Sequence, residues 1–368
     1  MKKIYAPFCR YLVAVVFIFS GFVKCVDPTG TAIKMEEYFN AFGMDFMVPF
    51  SMFLSICMCG VELLVGLMIL CNLRLNLGAW GALALMVFYT PLTLWLALTD
   101  KVTDCGCFGD AITLSNWQTF IKNVILDVFV IYLFIVRKKF KKAYKPKVQT
   151  AGVLTFAVLV LAFEFYNLAF LPLIDFMPYK TGNNIRAGMM IPENAPQPKF
   201  KNIFYYEKDG KIRKFTVDNL PDSTWKFVDR KDRTIRKGFV APIHDFVITT
   251  TDNADVTNSI LEDPGYTYLL IIPGFEKANR KSFEKVNRIA ESAISKGHRF
   301  YAVTSSLPEE YELFKEQVRA SYPIYMMDET TLKTMIRSNP GLILIKGGAI
   351  IGKWHFRQFG KVPDVPVQ

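Results

Sequence analysis

The sequence predicts a multi-domain protein: an α-helical transmembrane bundle with five spans, followed by an exported α/β domain. Two observations carry this. Of 368 residues 51% are hydrophobic, but the long apolar runs end near residue 172 and charges are spread throughout the chain after Asp175. All seven cysteines (Cys9, Cys25, Cys57, Cys59, Cys71, Cys105, Cys107) fall in the apolar part, so the second part has no thiol chemistry of its own.

Crossing a bilayer takes about 20 mostly apolar residues. The stretches Pro7–Val23, Val48–Cys71, Leu75–Leu98, Trp117–Val136 and Thr150–Leu171 meet that requirement. Lys2 and Lys3 before the first stretch resemble a signal-peptide start, but no small-x-small cleavage site follows, and Lys24 before Cys25 spoils a lipoprotein box. The first stretch reads as a retained helix. Basic residues set the orientation. With the N-terminus in the cytoplasm, Lys2, Lys3, Arg10, Arg74 and the cluster between Arg137 and Lys147 are inside, while only Lys24, Lys34 and Lys101 are outside. The loop DCGCFGD (104–110) and everything after the fifth span are then exported, into an oxidising compartment.

Glu62, Lys122, Asp127 and Glu164 interrupt the apolar helices and are costly there unless they are paired or face the bundle interior. Arg10 lies roughly 9 Å from Glu62 in depth at 1.5 Å per residue, within partial reach of a long side chain. Asn123 and Asp127, four apart, share a helix face. These charges read either as packing pairs or as a proton path serving redox chemistry.

Cys105 and Cys107 flank Gly106, whose freedom in φ permits the bend that a two-residue disulfide ring requires. Such a ring is strained and exchanges readily. Lys24, at the outer end of the first helix, favours a thiolate there, while Asp104 and Asp110 oppose it. A redox pair, a structural turn or disulfide, and a metal site all remain open, the last disfavoured because His244, His298 and His355 are all in the second part. Cys25 at the outer mouth is a possible resolving thiol, and Cys9 with Cys71 a conceivable inner pair. Cys57 and Cys59 point to nearly opposite faces. All except the CGC pair also read as small apolar filler.

RYLVAVVFIFSGFVKCVDPTGTA (10–32), Glu62, FYTPLTLWLAL (88–98) and DCGCFGDAITLSNWQTFIKN (104–123) together resemble the DoxX/MauE family of four-helix membrane proteins over roughly residues 1–140. The resemblance implies thiol or sulfur redox work at the exported face of a bacterial cytoplasmic (inner) membrane. It makes Cys105 and Cys107 the candidate active pair, with Lys24, Cys25, Glu62, Lys122 and Asp127 auxiliary and an exported client protein or thiol carrier as partner. No cofactor is evident from the residues; a quinone follows from the resemblance alone.

Residues 141–173 form a basic cytoplasmic loop and the fifth helix, and 174–237 a linker followed by a hairpin at FYYEKDGKIRKFTV (204–217), turned at Asp-Gly. From 238 to 368, strands at YTYLLII (266–272), 298–306 and 322–328 alternate with helices at 280–295, 308–320 and 329–338. The hairpin GLILIKGGAIIGKW (341–354) ends the pattern of a mostly parallel, buried sheet. Ala241, Pro242, Asp245 and Phe246, with Pro340 before the last hairpin, are similar to a thioredoxin-like domain of the TlpA/peroxiredoxin kind, in which that proline is cis. Where such a domain carries CxxC, this chain has Pro273-Gly274-Phe275-Glu276-Lys277-Ala278, so the domain cannot perform thiol catalysis. Asn339 and Pro340 are expected to leave an edge that binds an extended client, or the fold serves as a platform. The mixed charges of KFVDRKDRTIRK (226–237) suggest a solvated surface, not a nucleic-acid site. Two functions follow: a membrane thiol–disulfide oxidoreductase, or a non-enzymatic assembly scaffold with a structural CGC disulfide. A transporter ranks third, since repeats and broken helices are not evident.

Overall fold

The computed structural model describes residues 2–102, 105–197, 199–236 and 238–366. Asp104 therefore lies outside the described residues. The bundle consists of α1 (Lys2–Val26), α2 (Pro28–Phe42), α3 (Ser51–Leu70), α4 (Leu75–Thr99), α5 (Asn116–Val136) and α6 (Pro146–Ala169). Among the described residues, five helical stretches are long and apolar enough to cross a membrane, in register with the five expected spans.

The short helix α2 was not expected. Asp27 caps its start by accepting the Gly30 N–H, Pro28 occupies the first turn, and Gly43 closes it at φ 68°. Between α1 and α3 the backbones nearly touch. A Cβ at Gly21 would lie 2.5 Å from the Leu63 nitrogen, and one at Gly66 would lie 2.7 Å from the Ile18 nitrogen. Such small-residue crossings let spanning helices pack where no hydrophobic drive separates protein from lipid.

Segment 174–197 is not a free linker. Its short helix α7 (Ile185–Met189) places Ile185, with Tyr179, in the core of the C-terminal domain. A three-stranded antiparallel sheet follows, with β1 (Lys199–Lys208) central between β2 (Lys211–Thr216) and β3 (Lys226–Arg236). β1 and β2 are the expected hairpin, and β3 is built from the stretch read as solvated surface.

The last domain contains α8 (Thr257–Leu261), β4 (Tyr266–Ile272), α9 (Phe283–Ser295), β5 (Arg299–Thr304), α10 (Tyr311–Val318), β6 (Ile324–Met326), α11 (Glu329–Met335), β7 (Gly341–Lys346) and β8 (Ala349–His355). Strand order is β6-β5-β4-β7-β8, with β4, β5 and β6 parallel and β7 and β8 antiparallel. That is the thioredoxin-like arrangement, and the Asn339–Pro340 bond ahead of β7 is cis. Alternation along β4 sends Tyr268, Leu270 and Ile272 into one core with Phe283, Val286 and Phe314. Leu269 and Ile271 enter the other, with Phe246, Leu332 and Met335.

Candidate functional site: a dithiol loop seated in the bundle

The α4–α5 connection is pinned at both ends. Asp100 ends α4 in the left-handed region, and Asn116 at the start of α5 donates to the Asp100 carboxylate at 3.0 Å and the Val102 carbonyl at 2.9 Å. Gly106 (φ 62°) and Gly109 (φ 51°) reverse the chain between them, closed by Gly109 N–H on the Gly106 carbonyl at 3.0 Å. The turn brings the Cys105 and Cys107 sulfurs to 2.8 Å. A disulfide bond measures about 2.0 Å, so little movement closes it.

The loop is seated between the helices. Tyr38 of α2 donates to the Cys105 carbonyl at 2.5 Å, and Ser20 of α1 donates to the Cys107 carbonyl at 2.7 Å. The Lys34 stem packs over Gly106, and Phe108 meets Phe19 edge-on with ring centroids 5.3 Å apart.

Beneath Cys107 is a small cavity of about 20 Å³, which it lines together with Lys24, Glu62, Tyr89, Lys122 and Asn123. Lys24 donates to Glu62 at 2.7 Å and Tyr89 donates to the same carboxylate oxygen at 2.9 Å; Lys24 and Glu62 are both buried. The Lys122 ammonium lies 4.3 Å above the Phe108 ring. Cys107 is held below the ordinary thiol range, at about 7: the Cys105 hydrogen bond lowers it, burial opposes, and Lys122 and Lys24 lower it further. The same sulfur–sulfur hydrogen bond raises Cys105.

The structure thus brings together Cys105, Cys107, Lys24, Glu62 and Lys122. Two expectations need correction. Glu62 pairs with Lys24, not Arg10, because the α1–α3 crossing aligns Glu62 with the opposite end of α1; the Arg10 guanidinium lies over the Tyr11 and Phe140 rings. Cys25 is not at the loop, since the residue after Lys24 points to another helix face. Its thiol donates to Glu164 of α6 at 3.3 Å, in a buried cluster with Cys59. Asp127 accepts from Thr90 at 2.8 Å and Asn123 donates to Thr93 at 3.2 Å, so that helix face binds α5 to α4. Tyr89, Tyr38 and Ser20 were missed because no local pattern marks a hydroxyl that reaches another helix.

The thioredoxin-like domain rests on this end of the bundle. Arg337, just after α11, grips the Asp27 carboxylate through Nε at 3.0 Å and Nη2 at 2.7 Å. Lys353 pairs with Asp175 at 2.6 Å, and Arg357 donates to the Ala169 carbonyl at 2.8 Å. A cleft of about 320 Å³ runs between Gly106, Gly109 and Lys34 on one side and Thr334, Arg337 and His244 on the other. A second, of about 640 Å³, separates Thr29, Ala32 and Ile33 of α2 from Pro273–Lys277, the place of the missing CxxC, and from Asn339. Asn339, expected to present an edge, is bonded in part within the domain. Its carbonyl accepts the Asn279 N–H at 3.0 Å, and its side chain donates to the Gly274 carbonyl at 2.8 Å.

Fold and site therefore define a helical membrane bundle with a paired-thiol loop, capped by a cysteine-free thioredoxin-like domain. Comparison with known proteins agrees. Residues 2–136 match the family model of methylamine utilisation protein MauE, and residues 200–237 match a domain of unknown function (DUF8463). Protein TlpB of Flavobacterium psychrophilum is 32% identical over 143 residues, which is 38% of this chain and 39% of that protein, so the chain spans well under half of that relative. A solution structure of a candidate protein disulfide isomerase from Bacteroides thetaiotaomicron aligns at 19% identity and TM-score 0.27, over 32% of this chain and 80% of the other. The thioredoxin-like fold is read from the strand order above.

Proposed function

We propose that this protein is a membrane thiol–disulfide exchange protein whose Cys105–Cys107 pair cycles between dithiol and disulfide with a client protein or thiol carrier. The observation that carries the reading is the pair itself: two sulfurs 2.8 Å apart, on a loop held by hydrogen bonds from two helices, beside buried charges. A purely structural turn has no need of two lysines on the cavity that Cys107 lines. The family match over residues 2–136 and the thioredoxin-like fold of the last domain support the same class. The basic clusters favour a cytoplasmic N-terminus, a bacterial inner membrane, and a loop that faces the periplasm. By resemblance a quinone is a possible final electron acceptor; the residues described here form no site that we assign to it.

Single Cys105→Ser and Cys107→Ser variants, trapped with acid and alkylation in cells, are expected to retain client in a mixed disulfide. Absence of any adduct, with the double variant fully functional, would remove the exchange reading. It would leave the second reading, an assembly scaffold with a structural disulfide. That reading draws support from the thioredoxin-like domain, which has no cysteine and turns its Pro273–Lys277 edge toward α2.

A further inference from the structure

The charges around the cavity do not balance. On one side Lys24 is neutralised by Glu62 at 2.7 Å, with Tyr89 bound to the same carboxylate oxygen. Across it Lys122, from α5, has no carboxylate within ion-pair distance among the described residues, and its ammonium lies 4.3 Å over the Phe108 ring. With two cations and one anion, the described lining carries a net charge of +1; its other titratable groups are Tyr89, whose hydroxyl is bound to Glu62, and Cys107. Above it, Lys34 is paired with Glu37 at 3.0 Å and Tyr38 donates to the Cys105 carbonyl. Lys122 is half-buried at the rim of this lining, and a thiolate at Cys107 would give it the anion that the lining otherwise lacks.

We propose that Lys24, Glu62 and Lys122 form an electrostatic seat for a thiolate on Cys107, so that the reduced CGC pair stores one proton, on Cys105, instead of two. The proposal rests on the exchange reading of the same loop. Its chemistry balances. The Cys107 thiolate attacks one sulfur of a client disulfide, whose S–S bond breaks and releases a client thiolate. Cys105 passes its proton to that thiolate, then attacks Cys107 and displaces the second client sulfur. The pair ends as a disulfide, two electrons have moved to the client, and the client leaves as one thiol and one thiolate. Lys24, Glu62 and Lys122 are positioning residues in this scheme, since none reacts.

The seat predicts a pattern of signs that a merely structural ion pair does not. In full-length protein held in nanodiscs and reduced with a phosphine, the rate of Cys107 alkylation by iodoacetamide is measured against pH, with the site assigned by mass spectrometry. Lys122→Met and Lys24→Met each bring the pocket to zero and should lower the rate at pH 6 about tenfold. Glu62→Gln brings it to +2 and should raise the rate. The double variant K24M/E62M leaves +1 and should keep the wild-type profile; replacing a buried pair with apolar residues of similar size tends to preserve folding. An E62Q profile that is unmoved or shifted to higher pH overturns the proposal, and so does an unchanged K122M profile, and neither reading depends on K24M folding. Client capture is scored separately. Its failure alongside the expected sign pattern removes the exchange reading and leaves the seat standing; its success with profiles that do not respond removes the seat alone.

Discussion

Tyr38 reaches from α2 to the carbonyl of Cys105 at 2.5 Å, one of the contacts that hold the turn. Its loss in Tyr38→Phe is worth about 1 kcal/mol, the usual net value of such a bond. The loop should then open about fivefold more often, read as faster Cys105 alkylation at fixed pH. Gly106 sits at φ 62° with the Lys34 stem 3.3 Å from where a Cβ would be. Gly106→Ala should therefore cost about 1–2 kcal/mol and loosen the loop in the same assay. At this scale the sulfurs and Lys24 were legible, since a Cys-Gly-Cys stretch between two spans declares its own bend. The partner of Glu62 was not. Depth along a helix can be computed from sequence, but which faces two helices share is decided by where their glycines let the backbones meet.

Among the elements, the α1–α3 crossing is the most consequential, because it presses Lys24 against Glu62. Gly21→Val should force the helices apart, lowering thermal stability in detergent by about 1–3 kcal/mol, the usual cost of overpacking. In the C-terminal domain, His355 caps the final turn by accepting the Arg357 N–H through Nδ1 at 3.2 Å, and burial depresses it to about 4. A histidine kept neutral in the fold gives stability that is full above its unfolded value near 6.5 and lost as pH falls toward 4. The melting temperature should fall across that window, and His355→Asn, which keeps an acceptor at the cap, should flatten the slope. The five spans and the order of strands and helices were legible because each run has a period and a length. α2 was not, although its signals were present: Asp27-Pro28 at the start and Gly43 at the end. It escaped notice because a modestly apolar helix between two spans looks like a loop. Segment 174–197 was misread for the reverse reason: Pro, Gly and Asn suggested a linker, while Tyr179 and Ile185 are core residues of the domain that follows.

For the molecule as a whole, the position of the thioredoxin-like domain matters more than its lost cysteines. Its Pro273–Lys277 edge faces α2, and Arg337 holds Asp27 where the 320 Å³ and 640 Å³ clefts adjoin. Such an arrangement limits what can approach the loop. In Arg337→Ala, a polymer-linked maleimide should label Cys105 and Cys107 several-fold faster than in the wild type, while a small maleimide is little affected. The charge swap D27R/R337D should partly restore the difference. Equal changes for both reagents would mean that the contact fastens the domain without screening the loop. None of this was readable from residue order, since Asp27 and Arg337 are 310 positions apart and each alone is an ordinary surface charge.

The close crossing of α1 and α3 also bears on how the chain is made. Lys24 stands at the end of α1 and its partner belongs to a helix synthesised later, so the amine cannot meet the carboxylate that holds it in the folded bundle until Glu62 has left the ribosome. Translation thus imposes a sequence on assembly: the first helix waits with its charge in water, the third arrives and draws that charge inward, and only then is there a floor on which the cysteine turn, made later still, can settle. A nascent chain stalled before Glu62 should leave Lys24 open to amine-reactive reagents, and one released after α3 has been inserted should protect it.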